Sequence, residues 1–448
     1  MSSDRNQGFT ESSAISSAGR LGMIVALAVV ISVSIGNLIN YRSVTIYKAV
    51  SLFLPFITIY ILLREKRKPA WNLYFTFFTL FIAANFCMFG VLKNPHSLSQ
   101  KLFFIGRLAG HGAVMYLFYN LVRGAEEGRL NKLFAMIIYA SSSVNAAVNG
   151  LQLLNDRLLP GYLRIPHEFY ILRGDGLFLD PNYNGFFVCI CVFLLLHLYL
   201  NRAVSRRWFW VFLVLNLIIL FLSLSIGAFI GLILGAVVLL FLRIERRGRI
   251  IIAVGLIVLI AVGVHFVFLV KGYDFSGKDI TLFKYRIIYY LQTKLSSGSG
   301  GSRIDHFRVA WHAFLKNPIF GIGTTGFLNA NNYLTYAEAI DLHYDNPRGW
   351  IIHSNLFAVL GENGLAGFIP YLALVFLGLF YSWKLYRKKA VYAGLFGMQI
   401  ASFVVSNTIN NLYFNFYWLV QSLPFIFYTL DCHLQTGHRI NPFNDKTT

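Results

Sequence analysis

Three short stretches of the chain hold residue types able to do chemistry. "RGWIIHSNLF" (348–357) opens on Arg348 and places one histidine, His353, where a long apolar run begins. A helix starting there puts its positive dipole end around the ring, which lowers the imidazole pKa and favours the neutral form, and a neutral imidazole can act as a general base. "SRIDHFRVAWHAFLKNP" (302–318) carries Arg303, His306 and Arg308. The guanidinium fork pairs well with phosphate oxygens, so Arg303 and Arg308 are candidate anion ligands. "LRGDGLFLDPNYNGFF" (172–187) sets Arg173 in a Gly-rich loop and then opens an apolar run with Asp180-Pro181-Asn182.

Each stretch also has a plainer reading. His353 alone fits an interfacial histidine bonded to a loop, the arginines fit lipid-headgroup contacts, and Asp-Pro is an ordinary helix start. Capping does not account for Arg173. The sequence contains no Asp-x-Asp, no His-x-x-x-His and no phosphate-cradling glycine loop. "GIGTTG" (321–326) comes near the last, but it follows an amphipathic helix instead of a strand and reads as a flexible turn.

The elements that position these residues follow from composition. The 448 residues are 56% hydrophobic and 13% charged, about half the charge of an ordinary soluble domain. Apolar runs of roughly 20 residues recur, the length that spans a bilayer as a helix. Twelve spans fit, at 21–40, 44–63, 71–92, 102–121, 133–153, 182–200, 208–222, 224–242, 250–270, 350–381, 391–409 and 412–430. The expected fold is therefore all-α, a polytopic membrane protein without a second soluble domain. The first run is too long for a signal-peptide core and reads as an anchor. The four cysteines lie in or just after apolar runs, which implies no disulfide framework.

Orientation follows from Lys and Arg in the short loops. "REKRKP" (64–69), "RGAEEGRLNK" (123–132), "NRAVSRR" (201–207), "RIERRGR" (243–249) and "KLYRKK" (384–389) all fall on one side of a twelve-span arrangement. That side is expected to be cytoplasmic, together with the tails 1–20 and 431–448. The net charge of +20 is mostly this topology signal; scattered over loops, it does not form a nucleic-acid-binding stripe.

Spans one to nine occupy 21–270 and spans ten to twelve 350–430, leaving two long outer loops, about 154–181 and 271–349. Long loops without a fold of their own are usually functional. In the larger one, Ile304, Phe307, Trp311, Phe314 and Leu315 recur at helical spacing, with Arg303, His306 and Arg308 off the stripe. Ser302 and Asp305 resemble a capping box and Pro318 ends the run. Such a helix should lie at the membrane surface, with its apolar face in lipid or on the bundle.

"SRIDHFRVAWHAFLKNPIFGIGTTGF" followed by "HSNLFAVLGENGLAGF", with "RGDGLFLDPNYNG" upstream, resembles the O-antigen ligase and O-antigen polymerase superfamily. The carrying residues are Arg303, Trp311, Asn317-Pro318, Gly321, Gly323, His353, Glu362, Gly364 and Gly367. The resemblance implies a GT-C-like membrane glycosyltransferase of the bacterial inner membrane, with its active site facing the periplasm and no metal or other cofactor. Its donor would be a glycan on undecaprenyl diphosphate. Its acceptor would be a lipid-linked repeat unit for a polymerase, or lipid A core for a ligase. Membrane lipids and a chain-length regulator protein are implied partners. His353 and Arg303 are the implied catalytic residues, and Arg173, Arg308, Asn182, Arg348 and Glu362 the implied substrate-binding ones. At one place the chain departs from the family: "SLSIGAF" has Ile226 where many members, ligases especially, carry an arginine. Arg173 and Arg308 are the alternatives for that role, and the departure favours a polymerase.

A glycan flippase is the rival of another class. It would need charge deep in the bundle, where Lys48, Arg107, His111, His265 and Glu362 are the few candidates. The polar weight sits instead at the outer face, in the long loops and in Asn407, Asn410 and Asn411.

Overall fold

The computed structural model describes residues 40–41, 44–64, 66, 68–87, 98–123, 125–154, 174–178, 180–243, 273–274, 288, 292, 299–342, 351–412 and 414–436. Apart from a two-residue antiparallel pairing of Asn40–Tyr41 with Val44–Thr45, every regular element among them is helical. In chain order these are α1 (Ile46–Arg64), α2 (Leu73–Cys87), α3 (Leu98–Val122), α4 (Glu127–Leu154), α5 (Pro181–Leu200), α6 (Arg206–Ser223), α7 (Ile226–Arg243), α8 (Ser299–Lys316), α9 (Ala330–Glu338), α10 (Asn355–Lys388), α11 (Ala393–Ser406) and α12 (Asn415–Thr436). Six are long and apolar enough to cross a membrane, and three shorter apolar segments accompany them. Ten of the twelve expected spans coincide with helices; the runs at 21–40 and 250–270 fall in or almost wholly in undescribed stretches.

The packing is that of a bundle in lipid. Large aliphatic and aromatic side chains face outward, among them Phe53, Phe56 and Leu63 on α1, Trp210, Val214 and Ile218 on α6, and Ile230 and Leu234 on α7. Amides and hydroxyls are inside: Ser142 bonds Asn216, and Asn145 bonds Asn184. Water would reverse this order; hydrocarbon demands it, because a polar group there needs an internal partner. α5 runs through the middle with Phe186–Leu195 continuously buried. α7 meets α11 and α5 along Gly227, Gly231 and Gly235, where an added Cβ would strike Thr408 just past α11, Val405 on α11 and Phe193 on α5. Small residues at this spacing let backbones approach without any hydrophobic drive between helices.

The close junction between the seventh and eighth apolar runs is real. α6 ends at Ser223 and α7 starts at Ile226, with Leu224 in the left-handed region between them. Asp180 caps α5 by accepting the Asn182 N–H at 2.6 Å, with Pro181 in the first turn.

The basic loops meet at one end of the bundle. Arg123 donates to the Lys68 carbonyl, and Arg243 to the Ala390 carbonyl. Tyr392 donates to Glu127, and the His197 ring lies against the Val391 carbonyl. Lys388 and Lys389 both bond the fully buried carboxylate of Asp431.

Candidate functional site

At the opposite end, α10 organises the site, and it is a broken helix. Gly364 adopts φ 55°, ψ −159°, which splits α10 into a short outer half ending at Asn363 and a long inner half. A break leaves carbonyls orphaned on one side and N–H groups on the other. The chain after α8 satisfies both sets. Ile322 and Gly323 donate to the carbonyls of Gly361 and Glu362 at 3.0 and 2.8 Å. Leu365 and Ala366 donate to the carbonyls of Pro318 and Ile319 at 2.8 and 3.0 Å.

Two glycines make this interlock possible. A Cβ on Gly321 (φ 67°) would lie 2.4 Å from the Glu362 carbonyl carbon, and one on Gly364 would lie 2.5 Å from that of Ile319. Thr324 Oγ1 and Asn363 Nδ2 both donate to Asn85 Oδ1, at 2.8 and 3.0 Å, which ties the arrangement to α2. "GIGTTG" is thus not a flexible turn. Gly321–Phe327 is buried, and its backbone N–H groups complete a helix elsewhere in the chain. The carboxylate of Glu362 faces this turn, where Oε1 accepts the Phe327 N–H at 3.4 Å.

α8 packs on the outer half of α10. It begins at Ser299, so Ser302 lies within its first turn and does not cap it; the expected capping box is not the helix start. The buried face is made of His306, Val309, Ala310 and Ala313. Small side chains allow the close approach, and Phe307 stacks on Phe357 at 4.7 Å and 7°. Of the apolar stripe read from the sequence, Ile304, Trp311 and Leu315 face outward, 60%, 47% and 56% exposed. The helix therefore packs by one face and offers the other to the surrounding medium. An open apolar groove of about 450 Å³ runs between the two elements, lined by Ile304, Phe307, Trp311, Phe357, Leu360 and Phe368, with Arg308 at its border.

His353 lies one residue before Ser354, the N-cap of α10, whose hydroxyl accepts the Phe357 N–H. The ring is half-buried and stacks on His306 with centroids 5.6 Å apart and planes 10° from parallel. Burial pushes the His306 ring down to about 4; Asp305 and the Ile351 backbone pull it up, and Arg303 pushes it further down. Arg303 thus acts on His306, and His306 in turn stacks on His353. Arg308 pairs with Asp305 at 3.6 Å on the exposed side.

Asparagines knit the same end together. Ser354 donates to Asn407, Asn355 and Asn411 bond each other, and Tyr183 Oη donates to the Asn410 carbonyl at 2.6 Å. Tyr183 follows Asn182, so the start of α5 sits beside the start of α10. Gly174, the residue after Arg173, donates to the Leu222 carbonyl at the end of α6. Arg173 and Arg348 themselves fall outside the described residues. Ile226 heads α7 and is largely exposed. In the sequence His306 is one polar residue off an apolar stripe. Its spacing of three from Arg303 was the available signal.

These features define a multi-pass helical membrane protein with a polar, histidine- and arginine-bearing site at one end of the bundle. Residues 211–372 match the family described as O-antigen ligase. That stretch runs from α6 through α8 and the broken α10, and with it the chain carries a domain of the O-antigen ligase and polymerase superfamily. A search of curated proteins found no match. The match supports a membrane enzyme of the O-antigen ligase/polymerase type.

Proposed function

We propose that this enzyme transfers a glycan from undecaprenyl diphosphate to a sugar hydroxyl at the periplasmic face of the inner membrane, joining lipid-linked repeat units as a surface-polysaccharide polymerase. The observation that carries the reading is the meeting of Arg303, His306 and His353 beside an apolar groove open to the side. A lipid-diphosphate donor has two needs, an apolar surface for its chain and positive charge for its diphosphate, and both occur here within one helix, α8. The periplasmic assignment is supported by the basic loops, which cluster at the far end of the bundle from His353.

In this reading the acceptor hydroxyl attacks the anomeric carbon and its proton passes to a ring nitrogen of His353. The bond from that carbon to the diphosphate oxygen breaks, and undecaprenyl diphosphate leaves with the electron pair. Arg303 holds the charge that develops on it, a fixed cation acting where the transition state needs one. Arg308 and Asn182 serve as substrate contacts in this reading, and Arg173 and Arg348, outside the described residues, are carried with them from the sequence. Glu362 acts indirectly, by holding the turn against α10.

Losing a general base typically costs about 10²–10⁴ in rate. His353→Ala and His353→Asn should both fall by that order in a purified transfer assay while donor binding is kept. If His353→Asn turns over like the unsubstituted enzyme, the base lies elsewhere. The second reading, transfer to lipid A core, draws on the family's description as a ligase; Ile226 weighs against it. A deletion strain separates the two: single repeat units on lipid A mean a polymerase, whereas long chains stranded on the carrier lipid mean a ligase.

A further inference from the structure

His306 is a buried histidine at the site to which the reaction, as written, gives no task. It is 1% exposed and sits on the packed face of α8. One face of it lies parallel to His353, and the Tyr333 ring of α9 meets it edge-on at 5.6 Å and 78°. The described chain around His353, Ile351–Ser354, is irregular, and the Ser354–Asn407 bond fastens it where α10 begins. A general base works in one orientation, and an error of about 1 Å in a reacting group can cost about 10²-fold in rate.

Resting on the function proposed above, we infer that His306 is a positioning residue: a flat, uncharged platform on which the His353 ring is held in one orientation toward the acceptor. Among the described residues, four titratable or charged groups face it: Arg303 and Asp305 on its own helix, Tyr333 on α9, and His353 in the loop before α10. A second imidazolium stacked on His353 would oppose protonation of the base during the reaction. Burial, with Arg303 close by, keeps the His306 ring neutral well below pH 7, so His353 is free to take the proton. Flatness and neutrality are the needed properties, and phenylalanine has both.

The test uses the purified full-length protein in nanodiscs with an undecaprenyl-diphosphate-linked oligosaccharide. His306→Leu, which fills the space without a plane, should lower kcat by about 10²-fold at unchanged KM for the donor. His306→Phe should recover most of that loss, and the acid limb of its pH–rate profile should stay where it is. A Leu variant with full kcat would overturn the inference. So would a Phe variant as slow as the Leu one, because a ring nitrogen would then be required, and so would a displaced acid limb.

Diethyl pyrocarbonate, read by peptide mass spectrometry, gives a measure independent of turnover. In the unsubstituted protein His353 should be modified much faster than His306, and in the Phe variant His353 should keep its rate. Equal rates at the two histidines would sink the stacked arrangement even if the Leu variant fails to fold. If the unsubstituted protein transfers no glycan while this contrast holds, the proposed function fails, the positioning role falls with it, and only the stacked arrangement of the two rings is kept.

Discussion

Replacing Gly364 by alanine probes the joint on which the whole site hangs. The backbone there, at φ 55° and ψ −159°, lies in a region essentially reserved for glycine, and holding another residue in it costs about 1–3 kcal/mol. The added Cβ would also stand 2.5 Å from the carbonyl carbon and oxygen of Ile319 and 2.6 Å from the Gly321 nitrogen. These are backbone atoms and cannot rotate aside. Relief requires the 318–321 strand of chain to move off, which breaks the bonds from Leu365 and Ala366 to Pro318 and Ile319. Each of the two bonds is worth about 0.5–1.5 kcal/mol, since the residues that make them are exposed or partly buried. The terms together reach about 4 kcal/mol, a large share of the stability of an ordinary domain.

Gly364→Ala should therefore melt far below the unsubstituted protein in detergent and lose transfer activity. Gly110→Ala on α3 serves as the control, because a Cβ there meets nothing within 4 Å, and alanine is the better helix former by about 0.5–1 kcal/mol. If Gly364→Ala melts and turns over like Gly110→Ala, the interlock between the turn and the broken helix is not what holds α8 against α10.

Two further outcomes are expected. Arg303→Ala should reduce transfer strongly and Arg303→Lys should restore it only in part, because a single ammonium cannot reproduce the bidentate fork; full activity of the lysine variant would exclude bidentate diphosphate recognition. Thermal stability should fall as pH falls from 6.5 toward 4. His306 is held near 4 in the folded protein against an ordinary 6.5, so within that window the unfolded chain binds more protons. The stability from keeping the ring neutral is thus complete above 6.5 and gone below 4, and His306→Phe should flatten that part of a melting-temperature profile.

Much of the protein is legible one residue at a time. Runs of apolar residues long enough for a bilayer specify helices wherever they occur, because hydrocarbon leaves the backbone no other partner than itself. Basic residues between runs mark one end, and Asp180-Pro181 marks the start of α5, since capping acts within a few residues. His353 could be singled out because it interrupts an apolar run at a helix start. Arg303 stood out for its amphipathic helix and for the spacing it shares with a known family.

Other features needed atoms far apart in sequence. Gly321 and Gly364 are unremarked glycines until each is seen to make room for the other's neighbour, 43 positions along the chain. Trp311 and Leu315 look like the packing face of α8 by hydrophobicity, yet they face outward. In lipid, large apolar groups gain nothing by turning inward, while small ones such as Ala310 and Ala313 let helices touch. His306 shows no sign in the sequence of lying against His353, since nothing in a helical period says which ring will come to rest on it. That was decided by the Pro318–Gly323 chain closing on the break at Gly364, which sets the outer half of α10 alongside α8.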